Sequence, residues 1–176
     1  HQAGTPAAAS GKEGDPPAQA ETRDGFHARA GAPLQQLHPV PHLRDLLPGQ
    51  GAQYLHMLRD LTSYFNEARA TLEMADRCLA DRLPQPLTSY IYPRFSENGA
   101  QESDHEAALT QTRIAQPAIA TASMAVIRTL ASLEIHPHIL AGHSLGELTA
   151  LCAAGCLDEE SLYRLAETRG RLMQEA

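Results

Sequence analysis

His138-Ile139-Leu140-Ala141-Gly142-His143-Ser144-Leu145-Gly146-Glu147 is the stretch whose reading decides the fold. Ile139, Leu140 and Ala141 form a short apolar run bounded by Pro137 and Gly142, which predicts a buried strand. The small-residue segment from Leu145 to Ala154 predicts a helix packed tightly on that strand, with Gly155 as its C-terminal glycine. Between the two lies a G-x-S-x-G pattern, Gly142-His143-Ser144-Leu145-Gly146. A strand-to-helix turn strains the serine backbone, and only glycines two residues to either side let the chains pass closely. Working outward, Pro117 is expected to open a helix carrying Ile119, Val126, Leu130 and Leu133 on one stripe, closed before Pro137. Asp158 is expected to cap the last helix, with Glu159 and Glu160 at its positive end. Helix, buried strand, sharp turn and helix in that order predict an α/β fold with a parallel sheet.

Further upstream, Tyr54, Met57, Leu58, Leu61 and Phe65 share one face at helical spacing, predicting a helix from Gln53. A second helix is expected over 66–83, ending at Pro84 and Pro86. Leu87 to Tyr92 reads as a short apolar-aromatic piece that Pro93 stops, followed by a polar loop at Asn98-Gly99 and a weak helix over 102–110. Residues 1–41 hold six of the twelve prolines, many alanines and glycines, and no apolar periodicity. Such a segment buries too little surface to offset its ordering entropy and reads as a flexible linker, with a structured pre-domain element as the alternative. The domain itself is expected over 42–176, and no internal repeat is visible.

The chain has 176 residues, 43% hydrophobic and 20% charged, which is one soluble domain's worth of sequence. A net charge of -7 and a pI near 5.7 argue against a basic nucleic-acid face. No uninterrupted apolar run approaches the roughly 18 residues of a membrane helix, and no charged-then-apolar leader opens the chain. The three cysteines (Cys78, Cys152 and Cys156) are an odd count without a paired CxxC, so they read as reduced core thiols of a cytoplasmic protein rather than disulfides or zinc ligands. The start at His1 and the stop at Ala176 within a helical pattern suggest a piece of a longer polypeptide.

Three features carry chemistry. Ser144 would be exposed at a helix N-terminus, where unpaired N–H groups and the dipole favour a developing oxyanion, which suits a nucleophile. The plainer reading is a loop serine that caps a helix. A serine nucleophile needs a base, but His143 is its neighbour and faces away, and no histidine follows it, so the base is expected beyond Ala176. Arg169 falls, at about 100° per residue, within the stripe formed by Leu162, Leu165, Ala166, Leu172 and Met173. A guanidinium there needs a bound anion or an internal carboxylate; a structural salt bridge and an arginine snorkelling at the stripe's edge are the alternatives. The glycines of Pro48-Gly49-Gln50-Gly51-Ala52-Gln53 precede a helix and could line an anion or oxyanion site, though the spacing is neither Rossmann nor Walker.

Together, LLPGQGAQ (Leu46 to Gln53), AQPA (Ala115 to Ala118), AGHSLGELTAL (Ala141 to Leu151) and ETRGRLMQEA (Glu167 to Ala176) resemble the malonyl-CoA:acyl carrier protein transacylase family, including acyltransferase domains of polyketide and polyunsaturated-fatty-acid-type synthases. The resemblance implies the N-terminal portion of an acyltransferase domain. Its parallel sheet would be α/β-hydrolase-like and flanked by helices, with a ferredoxin-like subdomain mostly beyond the chain end. By matched position, Ser144 would be the acyl-accepting nucleophile, and Gln50 and Leu145 the backbone oxyanion donors. Arg169 would grip the carboxylate of a malonyl-type substrate, and Gln116 would line the site. The implied reaction is ping-pong acyl transfer from coenzyme A to Ser144, and then to the phosphopantetheine thiol of an acyl carrier protein. No metal, cofactor, membrane or nucleic acid is implied; neighbouring synthase domains are. Two departures stand out. Arg44 and Asp45 interrupt the family's first strand, and the usual Met-Gly is Met57-Leu58 here. The alternatives are a serine esterase or thioesterase, for which Arg169 and PGQGAQ have no use, and a truncated, non-catalytic docking module.

Overall fold

Strands β1 (Arg44–Leu47) and β2 (Ile139–Gly142) pair in parallel in the computed structural model, which describes residues 43–94 and 102–176. Arg44 lies opposite Ile139 and Leu47 opposite Gly142. The His138 N–H donates to Leu43 O and the His143 N–H to Leu47 O, extending the ladder at both ends. The first strand therefore forms despite Arg44 and Asp45. It needs only one apolar anchor, Leu47, because the alternate residues Arg44 and Leu46 face solvent. The expectation that β2 is buried does not hold, since Ile139 is 49% exposed and Ala141 is exposed. Among the described residues the sheet has two strands, and its Leu47, Leu140 and Gly142 face is the one turned to the core.

Seven helices accompany the strands among the described residues: α1 (Arg59–Tyr64), α2 (Asn66–Cys78), α3 (Leu87–Ile91), α4 (Glu102–Thr110), α5 (Thr112–Ser132), α6 (Leu145–Ala153) and α7 (Glu159–Glu175). No helix starts at Gln53. His56 and Leu58 are left-handed (φ 61° and 59°), so the chain turns through 54–58, and Tyr54 of the expected face is 61% exposed. That turn is pinned to the end of α3: the His56 N–H donates to Ile91 O, and the Tyr92 hydroxyl donates to Met57 O. Leu58 thus holds a left-handed conformation that favours glycine, which makes it a strained leucine. Helix α2 stops at Cys78, and turns carry the chain through Leu79 to Leu83.

Helix α5 begins at Thr112, not at Pro117, which lies inside it. Proline forfeits the bond to the carbonyl four residues back, yet the helix tolerates it because α5 is held by neighbours on most sides. Helices α2, α3, α4, α6 and α7 all pack on it. An expected stripe of Ile119, Val126, Leu130 and Leu133 is accordingly replaced by burial nearly all round, and Val126 and Leu133 are the exposed members. The 21 residues of α5 match a membrane span in length and apolarity, contrary to the sequence expectation, but the helix is largely buried in the protein core. At its end, Glu134 is left-handed (φ 61°), with Glu134 N–H donating to Ala131 O and Ile135 N–H to Leu130 O. This is a Schellman turn without its glycine. The same turn ends α6 with Gly155 in place, as expected. Asp158 caps α7 through the Ser161 N–H at 2.7 Å, as expected.

Of the three cysteines only Cys152 is a core thiol, where burial pushes its pKa up to about 12. Cys78 is half-buried, and Cys156 is exposed because it follows the turn that ends α6. The linker over 1–41 and the Asn98-Gly99 loop lie outside the described residues.

Candidate active site

The elbow between β2 and α6 is built by exclusion. Ser144 has φ 58° and ψ −110°, a conformation that L-residues avoid. A Cβ on Gly142 would come within 2.0 Å of the Gly146 carbonyl carbon, and one on Gly146 within 2.0 Å of Leu47 O. Both positions must therefore be glycine for α6 to leave β2 at this angle and pass over β1. The Gly146 N–H donates to His143 O at 2.9 Å, and the Ser144 N–H donates to Glu147 Oε1 at 3.3 Å. His143 thus fixes the turn through its backbone, accepting from Gly146 and donating to Leu47. Leu145, the first residue of α6, has no intrahelical acceptor for its N–H, which leaves that donor beside Ser144.

The 48–53 loop presses on the elbow from the β1 side. A Cβ on Gly49 would lie 2.7 Å from His143 O and 3.4 Å from the Ser144 Cβ. Gln53 closes this loop by accepting from the Gly51 N–H at 2.9 Å. Gln50 sits between these glycines, and its side chain turns away to donate to Thr112 Oγ1 at 3.2 Å. What the loop brings towards Ser144 is therefore backbone.

Helix α7 supplies the cation. Arg169 donates from Nη2 to Ser144 Oγ at 3.0 Å and from Nη1 to Gln116 Oε1 at 2.8 Å. Gln116, fully buried on α5, donates its remaining amide nitrogen to Met173 Sδ at 3.3 Å. The amide is thereby oriented with its oxygen towards the guanidinium. A cavity of about 660 Å³ opens over this group, lined by Ser144, Glu147, Leu148, Leu165, Arg169 and Met173 among others. Three of the residues singled out in the sequence (Ser144, Arg169 and Gln116) are thus in one hydrogen-bonded chain, Leu145 is covalently next to it, and Gln50 approaches through its loop.

The surroundings of Arg169 differ from the sequence expectation. Leu162 and Ala166 are buried, but Leu165, Leu172 and Met173 are 42%, 54% and 52% exposed. The apolar residues of α7 form two adjoining arcs, one on the core and one on the cavity, and half-buried Arg169 lies where they meet. Among the described residues no carboxylate forms an ion pair with it, so the structural salt bridge is not what holds it there. Two carboxylates of α7 are buried, Glu159 in its first turn and Glu167 beside Arg169, and the second is one that sequence reading missed. The Glu167 carboxylate is paired with Arg82 at 2.9 Å and Arg113 at 2.7 Å. The only local signal was an acidic residue at the border of the apolar stripe, since both partners are far away in sequence.

The chain is similar to known proteins along most of its length. One component of the polyunsaturated fatty acid synthase of Thraustochytrium sp. is 33% identical over 133 residues, covering 73% of this chain and 5% of that protein. The malonyl CoA-acyl carrier protein transacylase of Bacillus subtilis is 37% identical over 131 residues, covering 74% of this chain and 37% of that protein. A type II polyketide malonyl-transacylase, solved in complex with its acyl carrier protein, superposes with a TM-score of 0.65 at 35% identity. That match covers 76% of this chain and 39% of the transacylase, so the present chain spans well under half the length of these relatives. With residues 46–176 matching the family described as "Acyl transferase domain", the chain belongs to the acyl transferase domain family.

Proposed function

We propose that this chain carries the acyl-accepting portion of a malonyl-type acyltransferase site serving fatty acid or polyketide synthesis. The observation that supports this best is Arg169. A guanidinium that touches the Ser144 hydroxyl at 3.0 Å, with no carboxylate partner among the described residues, is placed to hold a carboxylate at the far end of a short acyl group on that same oxygen. In the first half-reaction Ser144 Oγ attacks the thioester carbonyl of malonyl-CoA. The Oγ–C bond forms, the C–S bond breaks, and the hydroxyl proton ends on the departing coenzyme A thiol. The backbone N–H groups of Leu145 and Gln50 would receive the oxyanion. In the second half-reaction the phosphopantetheine thiol of an acyl carrier protein takes the malonyl group and Ser144 regains its proton.

A histidine base, the rest of an α/β-hydrolase-like sheet and a small ferredoxin-like subdomain would belong to the additional length that the relatives have. On this reading the 176-residue chain alone turns over several orders of magnitude more slowly than a complete enzyme, because the serine lacks its base. An esterase reading finds less support, because water as acceptor gives Arg169 no task.

Incubation with radiolabelled malonyl-CoA, followed by mapping of the labelled peptide, tests the proposal. Label is expected on the peptide holding Ser144 and is expected to vanish in Ser144→Ala with the melting temperature little changed. Equal labelling of Ser144→Ala would place the nucleophile elsewhere.

A further inference from the structure

Next to Arg169 on α7, reaching the cavity wall at Thr168, lies an ionic cluster that the acyl-transfer chemistry does not use. Glu167 on α7 is 1% exposed, and both of its oxygens are engaged. Arg82, in the turns after α2, donates from Nη1 to Oε2 at 2.9 Å, and Arg113 on α5 donates from Nε to Oε1 at 2.7 Å. The two arginines are themselves joined, since Arg113 Nη2 donates to the Arg82 carbonyl. Arg82 Nη1 also donates to Thr168 Oγ1 at 3.0 Å. Two residues further along α7, Gly170 packs so closely on α5 that a Cβ there would lie 2.4 Å from Thr112 O. Residues 167, 168 and 170, which bracket Arg169, are thus all fixed to Arg82 or to the first turn of α5. Gln116, the acceptor of Arg169, projects from the next turn of α5.

Buried ion pairs contribute little to net stability compared with apolar replacements, and in some proteins their role is instead to fix the register of the elements they join. Here the register that they fix is that of α7 along α5, which sets the Arg169 guanidinium opposite both Gln116 and Ser144. We infer that Glu167, through Arg82 and Arg113, is a positioning residue that holds Arg169 in place for the substrate carboxylate. A displacement of the guanidinium by about 1 Å would be enough to cost up to roughly a hundredfold in transfer. The inference deepens the proposed malonyl reading and rests on it for its activity readout, but not for its spectroscopic one.

The test uses two readouts on the 176-residue chain: the side-chain Nε–H resonance of Arg169, and the ratio of malonyl to acetyl label on Ser144 at fixed time. In Glu167→Gln the resonance is expected to shift and to exchange faster with water. The malonyl-to-acetyl ratio is expected to fall about tenfold or more, with Glu167→Asp recovering part of both. Thr168→Val removes one acceptor and keeps the ion pairs but alters the cavity wall, so if Glu167→Gln does not fold this milder variant should move the Arg169 resonance, which is then the deciding readout. Placed in an Arg169→Ala background, Glu167→Gln should cause no further change in the ratio, because the two act through one group. A lowered melting temperature with the Arg169 resonance and the acyl ratio unmoved would overturn the inference and leave the cluster structural. If Arg169→Ala itself fails to change the ratio, the malonyl reading falls, and the resonance alone still decides whether Glu167 positions Arg169.

Discussion

Ser144 and Arg169 meet at 3.0 Å, yet the regions that deliver them are organised on different principles. The elbow carrying Ser144 is held by steric exclusion: β1, β2 and α6 approach until only glycine fits at 142 and 146, and the serine is left with a left-handed φ. The α5–α7 pair carrying Gln116 and Arg169 is held by attraction, through Arg82, Arg113 and Glu167 at its base and the Arg169–Gln116 bond at its tip. Sterics fix the backbone of the nucleophile, with the Glu147 carboxylate accepting from the Ser144 N–H as the side-chain bond to the elbow's backbone. Attraction leaves the cation in a half-buried, adaptable place, where an incoming carboxylate can share its donors. A site that must strain one group and free another benefits from both.

The steric side breaks first and most severely. Gly146→Ala sets a methyl 2.0 Å from Leu47 O, a backbone atom that cannot turn aside. We expect a loss at or beyond the upper end of the usual overpacking cost of about 1–3 kcal/mol, seen as a large fall in urea midpoint together with loss of Ser144 labelling. On the other side, Gly170→Ala pushes α7 off the first turn of α5, from a hypothetical contact of 2.4 Å. There we expect roughly 1–2 kcal/mol, and a malonyl-to-acetyl ratio that falls with it, because Arg169 is displaced from Gln116. If Gly170→Ala lowers stability without touching the ratio, the two regions are less separable than the comparison holds.

The smallest effect separates strain that has a use from strain that has none. Ser144 and Glu134 are both left-handed, at φ 58° and 61°, but Glu134 is exposed at the end of α5 and takes no part in the site. Glu134→Gly should raise stability by about 1 kcal/mol, read as a higher urea midpoint at unchanged slope, with Ser144 labelling unaltered. No gain would show that the left-handed turn after α5 is not strained.

The same contrast explains which parts were legible in the sequence. The elbow's demands are local, so Gly142, Ser144 and Gly146 stand within five residues and announce a strand, a turn and a helix. The Schellman end of α6 was legible through Gly155, whereas the identical end of α5 was not, because Glu134 occupies the position that glycine usually marks. Arg169 was visible as a cation within an apolar stripe, but one helical wheel cannot separate a face turned to the core from a face turned to a cavity. Leu165, Leu172 and Met173 were therefore read as buried when they line the site. Glu167 was invisible because its partners, Arg82 and Arg113, lie 85 and 54 positions away, and no spacing rule reaches that far. The turn at 54–58 was read as helix for a related reason: its conformation is imposed from α3, through Ile91 and Tyr92.

The most direct test of the account is Arg169→Ala, measured by malonyl and acetyl loading of Ser144 side by side with a melting curve. Removing one partner of a buried charged pair costs about 2–5 kcal/mol, and half-buried Arg169 belongs at the lower end of that range, so malonyl loading should fall by more than tenfold. Acetyl loading, which presents no carboxylate, should be spared or increased, and the melting temperature should change little because Arg169 pairs with no carboxylate among the described residues. Equal loss of both acyl groups together with a lowered melting temperature would contradict the account, and would make Arg169 a structural residue rather than the clamp for a dicarboxylic acyl group.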